Sequence, residues 1–414
     1  MTAAAPIMTE RKASMIGALL VALGPISMAL YTPALPMLVE VFGTTVSAVK
    51  LTLTVYFAGF AAAQLVCGPL SDGFGRRPVV IGFTALYLLS SLVAMFAPSV
   101  EWLMAARLLQ GIGAAAGIAI SRAIVRDLFT GQDSARVMNT IGMMLAVGPA
   151  LSPTLGGVTL ELFGWQAIFG FMALYGAAIL IVFLTVVPET LAHRDPSQLR
   201  GGRLFTSYGL LLRDARFLRP SIILGCTIGA LYALATILPF IMIELVGLTP
   251  TEFGVGMLVQ SGSFFAGSLM MRRLLTRTGA HRLVPVGLAL IGAGGLLLAV
   301  LMRAIEPTFL AVMGPIGLYA FGIAFTMPAL MTDSLAPFGR IAGAASALTG
   351  FFQIGGGLLG SGAAALMGQP VLALGTIIPG MAAVAIATQL LLGHTAARKD
   401  GPAAEELANR TPAE

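Results

Sequence analysis

Apolar segments of roughly 20 residues recur twelve times along this chain and constrain its fold more than any other feature. A hydrocarbon core about 30 Å thick needs about 20 apolar residues to cross it, and a helix satisfies its own backbone hydrogen bonds there. Charged residues make up 10% of the chain, whereas roughly a quarter is typical of soluble domains. We therefore predict an all-α integral membrane protein with twelve transmembrane helices. The predicted spans are residues 14–38, 48–69, 79–97, 102–124, 136–160, 166–187, 219–243, 253–274, 284–302, 309–331, 341–366 and 371–393.

The net charge of +6 is distributed in short basic clusters between the apolar segments, not along one face or tail. This pattern argues against nucleic acid as a partner. It predicts topology instead, because cytoplasmic loops carry the excess of Lys and Arg. With the amino terminus inside, the outer ends hold only Lys50 and Arg303. We expect a multi-pass protein of the cell's inner (cytoplasmic) membrane, with the lipid bilayer as its solvent and both termini cytoplasmic.

The longest hydrophilic segment, from Pro188 to Arg216, divides the spans six and six. Such arrangements often arise from two related halves, and a shift of about 205 residues aligns Leu70 to Arg77 with Leu275 to Arg282. Two pseudo-symmetric six-helix bundles are therefore predicted. The predicted divisions are an N-terminal bundle at 1–187, a cytoplasmic linker at 188–218, a C-terminal bundle at 219–393 and a disordered cytoplasmic tail at 394–414.

The two cysteines, Cys67 and Cys226, lie far apart inside apolar segments, which argues against a disulfide framework or a metal site. The three histidines occur in hydrophilic segments without a nucleophile or a metal-ligand pattern beside them. We therefore expect no cofactor, no metal and no enzymatic activity. A sensor or scaffold is disfavoured because no loop or terminus is long enough for a sizeable domain.

The segment Gly68 to Pro78 joins the second and third spans in few residues. Gly73 and Gly75 permit a turn, because glycine tolerates positive φ. Asp72 can then pair with arginines and bridge helix ends at the membrane surface, and such a pair biases one conformation when it breaks and reforms. The alternative interpretation is a basic anchor with a turn. The predicted latch residues are Gly68, Asp72, Gly75, Arg76, Arg77, Arg126 and Asp127.

Arg107 lies a few residues into the fourth span from its outer end. An arginine inside a membrane is costly, so it normally faces a cavity or a partner, although it can also extend to the outer headgroups. Gln110 and Gly111 alongside it favour an interior face. The predicted transport and coupling residues are Arg107, Gln110, Tyr31 and Asp333.

Prolines and glycines in the first and fifth spans predict helices that are bent, broken or closely packed. In the first span they flank Tyr31, and broken helices of this kind line substrate pathways in transporters. The predicted fifth-span motif comprises Gly148, Pro149, Gly156 and Gly157. Methionine and phenylalanine side chains provide an adaptable apolar surface. On that ground the predicted substrate cavity takes in Met28, Met143, Met144, Phe264 and Phe352.

These motifs resemble the signatures of the major facilitator superfamily, and in particular its bicyclomycin and chloramphenicol resistance branch of drug exporters. Gly68 to Pro78 is similar to the family's loop signature between spans two and three. Arg107 to Gly113 resembles its fourth-span signature, and Gly148 to Gly157 the fifth-span signature of antiporters. The match to the branch rests on Tyr31 to Pro36, Arg122 to Phe129, Pro188 to Thr190 and Ala342 to Ala347.

The resemblance implies a secondary active transporter that couples efflux of small amphipathic drugs or metabolites to protons by alternating access. It implies that Arg107 lies on the coupling or substrate route and that Asp72 and Arg76 form a latch on the cytoplasmic face. The expected partners are a small-molecule substrate and protons. We expect the chain to act as a monomer.

One position departs from the resemblance. The branch usually carries an acidic residue just before the string that begins at Tyr31, and here that place is Ala29. No carboxylate deep in a span replaces it as a proton carrier. An alternative function therefore stays open: a facilitator or importer of one specific small metabolite, without proton antiport.

Overall fold

A computed structural model describes residues 7–191, 194 and 201–399, without the side chains at 135, 139, 144–146, 201–204, 276, 340 and 394–399. Twelve helices in this part of the chain are long and apolar enough to cross a membrane, which confirms the predicted fold. Because their number is even, residues 7 and 399 lie on one side of the bundle, called here the terminal side; the opposite side is the far side. The spans are α1 (Glu10–Val41), α2 (Val46–Phe74), α3 (Arg76–Met95), α4 (Val100–Leu128), α5 (Gly131–Phe163), α6 (Trp165–Thr185), α7 (Ala215–Leu245), α8 (Pro250–Leu275), α9 (Ala280–Ala304), α10 (Phe309–Gly339), α11 (Ala342–Met367) and α12 (Pro370–Gly393).

The helix contacts repeat when six is added to each helix number. In the first half, α1 packs on α5, α2 on α4, and α3 on α4 and α6, and the helices α7 to α12 repeat these contacts. Between the halves, α2 packs on α11 and α5 packs on α8, and the same operation exchanges these two contacts. The structure therefore consists of two pseudo-symmetric six-helix bundles, as predicted.

Single glycines form the tight turns on the terminal side. Gly75 lies between α2 and α3 with a φ of 106°, in the left-handed region that favours glycine. Gly279 lies between α8 and α9 with a φ of 77°, one residue from the register that the sequence repeat predicts. The prediction that Gly73 also forms the turn is wrong, because α2 remains helical through Gly68 and Gly73 to its end at Phe74.

The prolines of the first span interrupt α1, as predicted. Its first α-helix ends at Ala29, a 3₁₀ turn follows at Thr32–Ala34, and a second α-helix runs through Leu35–Val41. Proline has no N–H to continue the hydrogen-bond ladder, which accounts for the interruption. Helix α5, in contrast, stays helical through both of its prolines, so they do not break it.

The predicted linker contains a helix at Gly201–Leu211, and α7 begins inside the predicted linker at Ala215. The Tyr208 hydroxyl donates a hydrogen bond of 2.7 Å to the carbonyl of Leu65 in α2, and burial raises the pKa of Tyr208 to about 12. This bond attaches the linker helix to the first half.

The last helix continues to Lys399, six residues beyond the predicted end of the C-terminal bundle at residue 393. The disorder of the tail stays a prediction. Residues 400–414 and the linker residues 192–193 and 195–200 lie outside the described part of the chain.

Glycines form a close crossing between α7 and α11. A Cβ at Gly229 would lie 2.6 Å from the carbonyl carbon of Gly356, and a Cβ at Gly356 would overlap the carbonyl oxygen of Gly225. In a bilayer the hydrophobic effect does not drive helices together, because lipid chains are as apolar as leucine. Helices associate there through close backbone packing, which small residues permit. At the neighbouring Gly355, in contrast, an added Cβ would have no atom within 4 Å.

We expect Gly356→Ala to lower the free energy of unfolding by about 1–3 kcal/mol, because the added methyl group forces α7 and α11 apart. Gly355→Ala adds the same group to the same helix without a neighbour, and should be neutral or stabilising by up to about 1 kcal/mol. Thermal unfolding of the purified variants in detergent measures the difference. Equal losses of stability in both variants would show that the crossing does not require glycine.

Candidate transport site

A buried arginine lies inside the first half. The Arg107 side chain has no exposed surface and is seven residues, or about 10 Å, from the far end of α4. Its guanidinium carbon is 4.5 Å from the ring centroid of Tyr31 and 4.2 Å from that of Tyr56. Its Nη1 donates a hydrogen bond of 2.5 Å to Oε1 of Gln110. We call Arg107, Tyr31, Tyr56 and Gln110 the arginine cage.

The cage makes a charge tolerable inside a bilayer. An arginine at the centre of a membrane helix costs about 2.5–3.5 kcal/mol on insertion scales. A desolvated contact between a cation and an aromatic ring contributes about 2 kcal/mol, so the contacts with Tyr31 and Tyr56 together are large enough to offset that cost. Complete burial also excludes the alternative in which Arg107 extends to the headgroups.

The guanidinium is nevertheless incompletely satisfied. Its Nε and Nη2 atoms have no hydrogen-bond partner. No carboxylate in the described part of the chain forms an ion pair with it. Since buried polar groups in native proteins are nearly always paired, two free donors on a buried cation mark a site for an acceptor.

Local helix geometry positions the cage. The interruption of α1 after Ala29 precedes Tyr31, whose hydroxyl lies 2.7 Å from that of Thr52 on α2. A Cβ at Gly111 would overlap the Tyr56 carbonyl oxygen, so glycine lets α4 approach α2 and brings Arg107 to the Tyr56 ring. The amide Nε2 of Gln110 donates a hydrogen bond of 2.6 Å to Ser91 on α3. The predicted residues Arg107, Gln110 and Tyr31 are thus brought together.

A small cavity lies beside the cage, between the two halves. Its volume is about 10 Å³, close to the smallest space that holds one water molecule. Met28 and Tyr56 line it from the first half, and Tyr232 and Ile354 from the second. Tyr56 therefore belongs to both the cage and the cavity. The remaining lining residues are Gly24, Pro25, Phe57, Phe60 and Ile118.

Only Met28, of the five residues predicted to line the cavity, lies there. Three others lie elsewhere in this conformation, and their place in a substrate cavity stays a prediction. Met143 is exposed on the surface of α5, Phe264 packs against the core of the second half, and Phe352 belongs to an aromatic cluster near the linker helix. The side chain of Met144 lies outside the described residues.

The aromatic lining was missed from the sequence. Phe57 and Tyr232 approach across the two halves with ring centroids 5.7 Å apart, and the Tyr56 hydroxyl donates a hydrogen bond of 2.9 Å to the carbonyl of Gly24. A tyrosine deep in an apolar span has a hydroxyl that needs a partner when buried. That requirement favours an interior position for such a tyrosine, and it is the sequence signal that could have identified Tyr56 and Tyr232 as interior residues.

Asp333 is not part of the cage. Its carboxylate pairs with Arg219 at 2.6 Å and lies 3.6 Å from Nδ1 of His281, on the terminal side of the second half. Both contacts join helix ends at the membrane surface. The structure therefore brings Asp333 together with Arg219 and not with Arg107, against the prediction that groups them.

Three of the predicted latch residues, Asp72, Arg76 and Asp127, form an ion-pair network centred on the buried Arg76. Its Nε lies 2.8 Å from Asp127 at the end of α4, and its Nη1 lies 2.5 Å from Asp72 at the end of α2. The Arg76 side chain is 3% exposed and the Asp127 side chain 13% exposed. Nη1 also donates a hydrogen bond to Ser71. This network joins α2, α3 and α4, so in this conformation it stabilises the first half.

Glu189 extends the network to α6. Its carboxylate accepts hydrogen bonds from the backbone N–H groups of Arg76 and Arg77 at 2.9 and 3.3 Å, where a negative charge is favoured at a helix N-terminus. Arg77 donates to the carbonyls of Phe183 and Leu184 near the end of α6. Arg126 is exposed and lies outside this network in this conformation, so its place in the latch stays a prediction.

The fifth-span motif makes contacts in two directions. Gly156 faces the carbonyl of Leu30 in α1, and Gly148 faces the side chains of α1. Gly157 faces α8, where a Cβ would overlap the carbonyl oxygen of Pro250. The motif thus joins the first half internally and also closes it against the second half.

Two polar contacts complete the closure of the far side. Oε1 of Glu161 accepts a hydrogen bond of 2.9 Å from the backbone N–H of Thr251, at the start of α8. The buried Lys50 on α2 donates a hydrogen bond of 3.3 Å to the carbonyl of Ala364 on α11. Both bonds cross from one half to the other.

Metal-ligating side chains form no cluster in the described part of the chain. No group of three or more His, Cys, Asp or Glu side chains there could hold a metal ion.

Comparison with known proteins agrees with this architecture. The family profile described as "Major Facilitator Superfamily" matches residues 17–361. The chain is 31% identical to the MFS-type transporter YdgK of Bacillus subtilis (strain 168), over 84% of this chain and 87% of that protein. It is 30% identical to a chloramphenicol resistance protein of Pseudomonas aeruginosa, over 82% of this chain and 80% of that protein.

A solved structure shares the fold at low sequence identity. The xylose transporter XylE from E. coli, in a partially occluded inward open conformation, superposes with a TM-score of 0.71. It is 14% identical, and the superposition covers 93% of this chain and 97% of that one.

We expect Asp127→Asn to destabilise the first half by about 1–3 kcal/mol, because it removes a buried carboxylate from Arg76 while Asp72 remains. Asp133→Asn is the matched control, since Asp133 and its partner Arg136 are both more than half exposed, and exposed pairs contribute about 0–1 kcal/mol. Thermal unfolding in detergent compares the two. An equal loss of stability in the Asp133→Asn control would contradict the conclusion that the Arg76 network stabilises the first half.

We expect Gly157→Val to open the far side, because the side chain cannot fit against the Pro250 carbonyl. Overpacking of about 1–3 kcal/mol lowers the ratio of the closed state to the open state by roughly 5- to 150-fold. The measurement is maleimide labelling in detergent of Thr54→Cys, a buried position near α11, in a background without Cys67 and Cys226. Gly142→Val on the same helix has no atom within 4 Å of its Cβ and should leave labelling unchanged. Slow labelling in both variants would contradict the assignment of Gly157 to the closure.

Proposed function

Because the chain belongs to the major facilitator superfamily, we propose that it is a secondary active transporter that exports small amphipathic drugs or metabolites by alternating access, driven by protons. The observation that carries this proposal is the cavity between two pseudo-symmetric halves, lined by Tyr56 and Met28 on one side and Tyr232 and Ile354 on the other. Aromatic and methionine side chains suit apolar ligands of varied shape. The similarity to a chloramphenicol resistance protein supports drug efflux.

The far side faces outward and the terminal side, with both chain ends, faces the cytoplasm of a cell with an inner membrane. The distribution of basic residues supports this orientation, since the far ends of the spans hold only Lys50 and Arg303 among the lysines and arginines near helix ends. In this orientation the described conformation is closed to the outside. One chain supplies both walls of the cavity, so the transporter acts as a monomer.

A second function follows from one specific observation. No carboxylate in the described part of the chain pairs with Arg107. Among the Asp and Glu residues of the twelve spans, only Asp333 lies more than about one turn from a span end, and Arg219 pairs with it there. A proton carrier deep in the membrane is therefore not supplied by an acidic side chain. This favours a facilitator of one metabolite that moves without proton antiport.

Transport by purified protein in proteoliposomes separates the two functions. We expect an imposed pH gradient to drive accumulation of several amphipathic compounds, with chloramphenicol, ethidium and small organic acids as the panel, and we expect a protonophore to abolish it. Movement of one compound at the same rate with and without the gradient would establish the facilitator. The control is Arg282→Gln, because Arg282 is exposed at the start of α9 and should transport as the unmodified protein does.

A further inference from the structure

The unpaired charges deep in the spans are positive. Every carboxylate of the spans except Asp333 lies within about one turn of a span end, and Asp333 is paired with Arg219. Arg107, in contrast, lies seven residues from one end of α4 and Arg122 six residues from the other. These positions are about 10 Å and 9 Å inside the helix. Neither arginine forms an ion pair in the described part of the chain. The deep part of α4 is therefore positively charged and uncompensated.

Both arginines lie on the side of α4 that faces the cavity. Ile118 lines the cavity, and Arg122 follows it by four residues, which places both side chains on one face of the helix. Arg107 precedes Ile118 by eleven residues, or about three turns, and its guanidinium contacts Tyr56, which also lines the cavity. The two cations thus flank the cavity, Arg107 toward the far side and Arg122 toward the terminal side.

The arginine cage has unused donors for an anion. Nε and Nη2 of Arg107 have no acceptor, while Tyr31 and Tyr56 hold the guanidinium from two directions and Gln110 holds Nη1. The planar guanidinium presents its donors in a fork that matches a carboxylate. In a site of low dielectric constant, a negative charge beside it is attracted much more strongly than in water.

From this geometry we propose that the substrates are amphipathic organic anions, whose carboxylate or similar acidic group binds Nε and Nη2 of Arg107 while the apolar part occupies the aromatic cavity. Arg122 attracts the anion on the terminal side before it reaches the cage. This assignment rests on the proposed transport function for its physiological meaning. The binding preference itself is a property of the cage and can be measured without transport.

The first experiment compares three ligands that share one fluorophore. Dansylglycine carries a carboxylate, dansylamide is neutral and dansylcadaverine carries an ammonium group. With the full chain in nanodiscs, we expect dansylglycine to bind about 10- to 100-fold more tightly than dansylamide, since hydrogen bonds to a charged group contribute about 1.5–3 kcal/mol. Dansylcadaverine should bind most weakly. Equal affinities, or tightest binding of dansylcadaverine, would overturn the proposal.

Variants then assign the preference to the cage. Arg107→Gln should reduce dansylglycine affinity to that of dansylamide, and Arg107→Lys should retain part of it, because lysine keeps the charge without the planar fork. Arg122→Gln should slow dansylglycine binding more than it weakens the final affinity. Arg282→Gln is the matched exposed control and should change nothing. An unaltered preference in folded Arg107→Gln would overturn the assignment; if that variant does not fold, the three-ligand comparison on the unmodified chain still decides the proposal.

Competition identifies the source of the anion. We expect unlabelled benzoate to displace dansylglycine at lower concentrations than chloride does. Displacement by chloride at equal or lower concentration would assign the cage to an inorganic anion and overturn the organic substrate class. Because binding requires no gradient, a chain that binds dansylglycine selectively but moves no compound would contradict only the transport function. Gradient-driven export of cations alone would contradict only the anion assignment.

Discussion

The absence of water in the bilayer core is the constraint on which the rest of the structure depends. Polar groups there must find partners within the protein, and the tyrosines show how: Tyr56 donates to the carbonyl of Gly24 and Tyr175 to that of Leu19. In this solvent the hydrophobic effect does not drive apolar helices to associate, so close backbone contacts at small residues hold them together. Gly111 against α2 and Gly356 against α7 are such contacts. The placement of glycine and of each buried polar group therefore determines which helices meet.

These contacts divide the molecule into parts that stay together and parts that can separate. The crossings at Gly111 and Gly356 lie within a half, as does the ion-pair network of Arg76, so they stabilise each bundle as a unit. The contact of Gly157 with α8 and the bond from Glu161 to Thr251 lie between the halves and only on the far side. A rocking motion of one bundle against the other breaks the second kind of contact and preserves the first, which is the motion that alternating access needs.

The sequence predicted the features that follow from periodic composition or from a local conformational requirement. The twelve spans, the break around Tyr31 and the turn at Gly75 are of this kind, because length, missing N–H groups and positive φ are local. The cavity was predicted poorly, because which face of a span meets the other half depends on the rotation of each helix in the bundle. Met143 and Tyr232 both occupy apolar spans, yet only Tyr232 reaches the cavity. Asp333 was grouped with Arg107 on charge alone, whereas its partner Arg219 comes from a helix distant in sequence.

Tyr56 connects the charge in the first half to the contact between the halves. The Tyr56 ring contacts the Arg107 guanidinium. Tyr56 also lines the cavity, and Tyr232 lines the same cavity from the second half. The cavity holds about one water, so a ligand can enter only if the Tyr56 and Tyr232 walls move apart. A ligand shifts a conformational equilibrium only as far as its affinities for the two states differ. On the anion proposal, a carboxylate paired with Arg107 competes with the Tyr56 ring for the guanidinium and favours the state in which that wall has moved. The proposal then assigns to the buried, unpaired charge the difference in affinity that would couple occupancy to the separation of the halves.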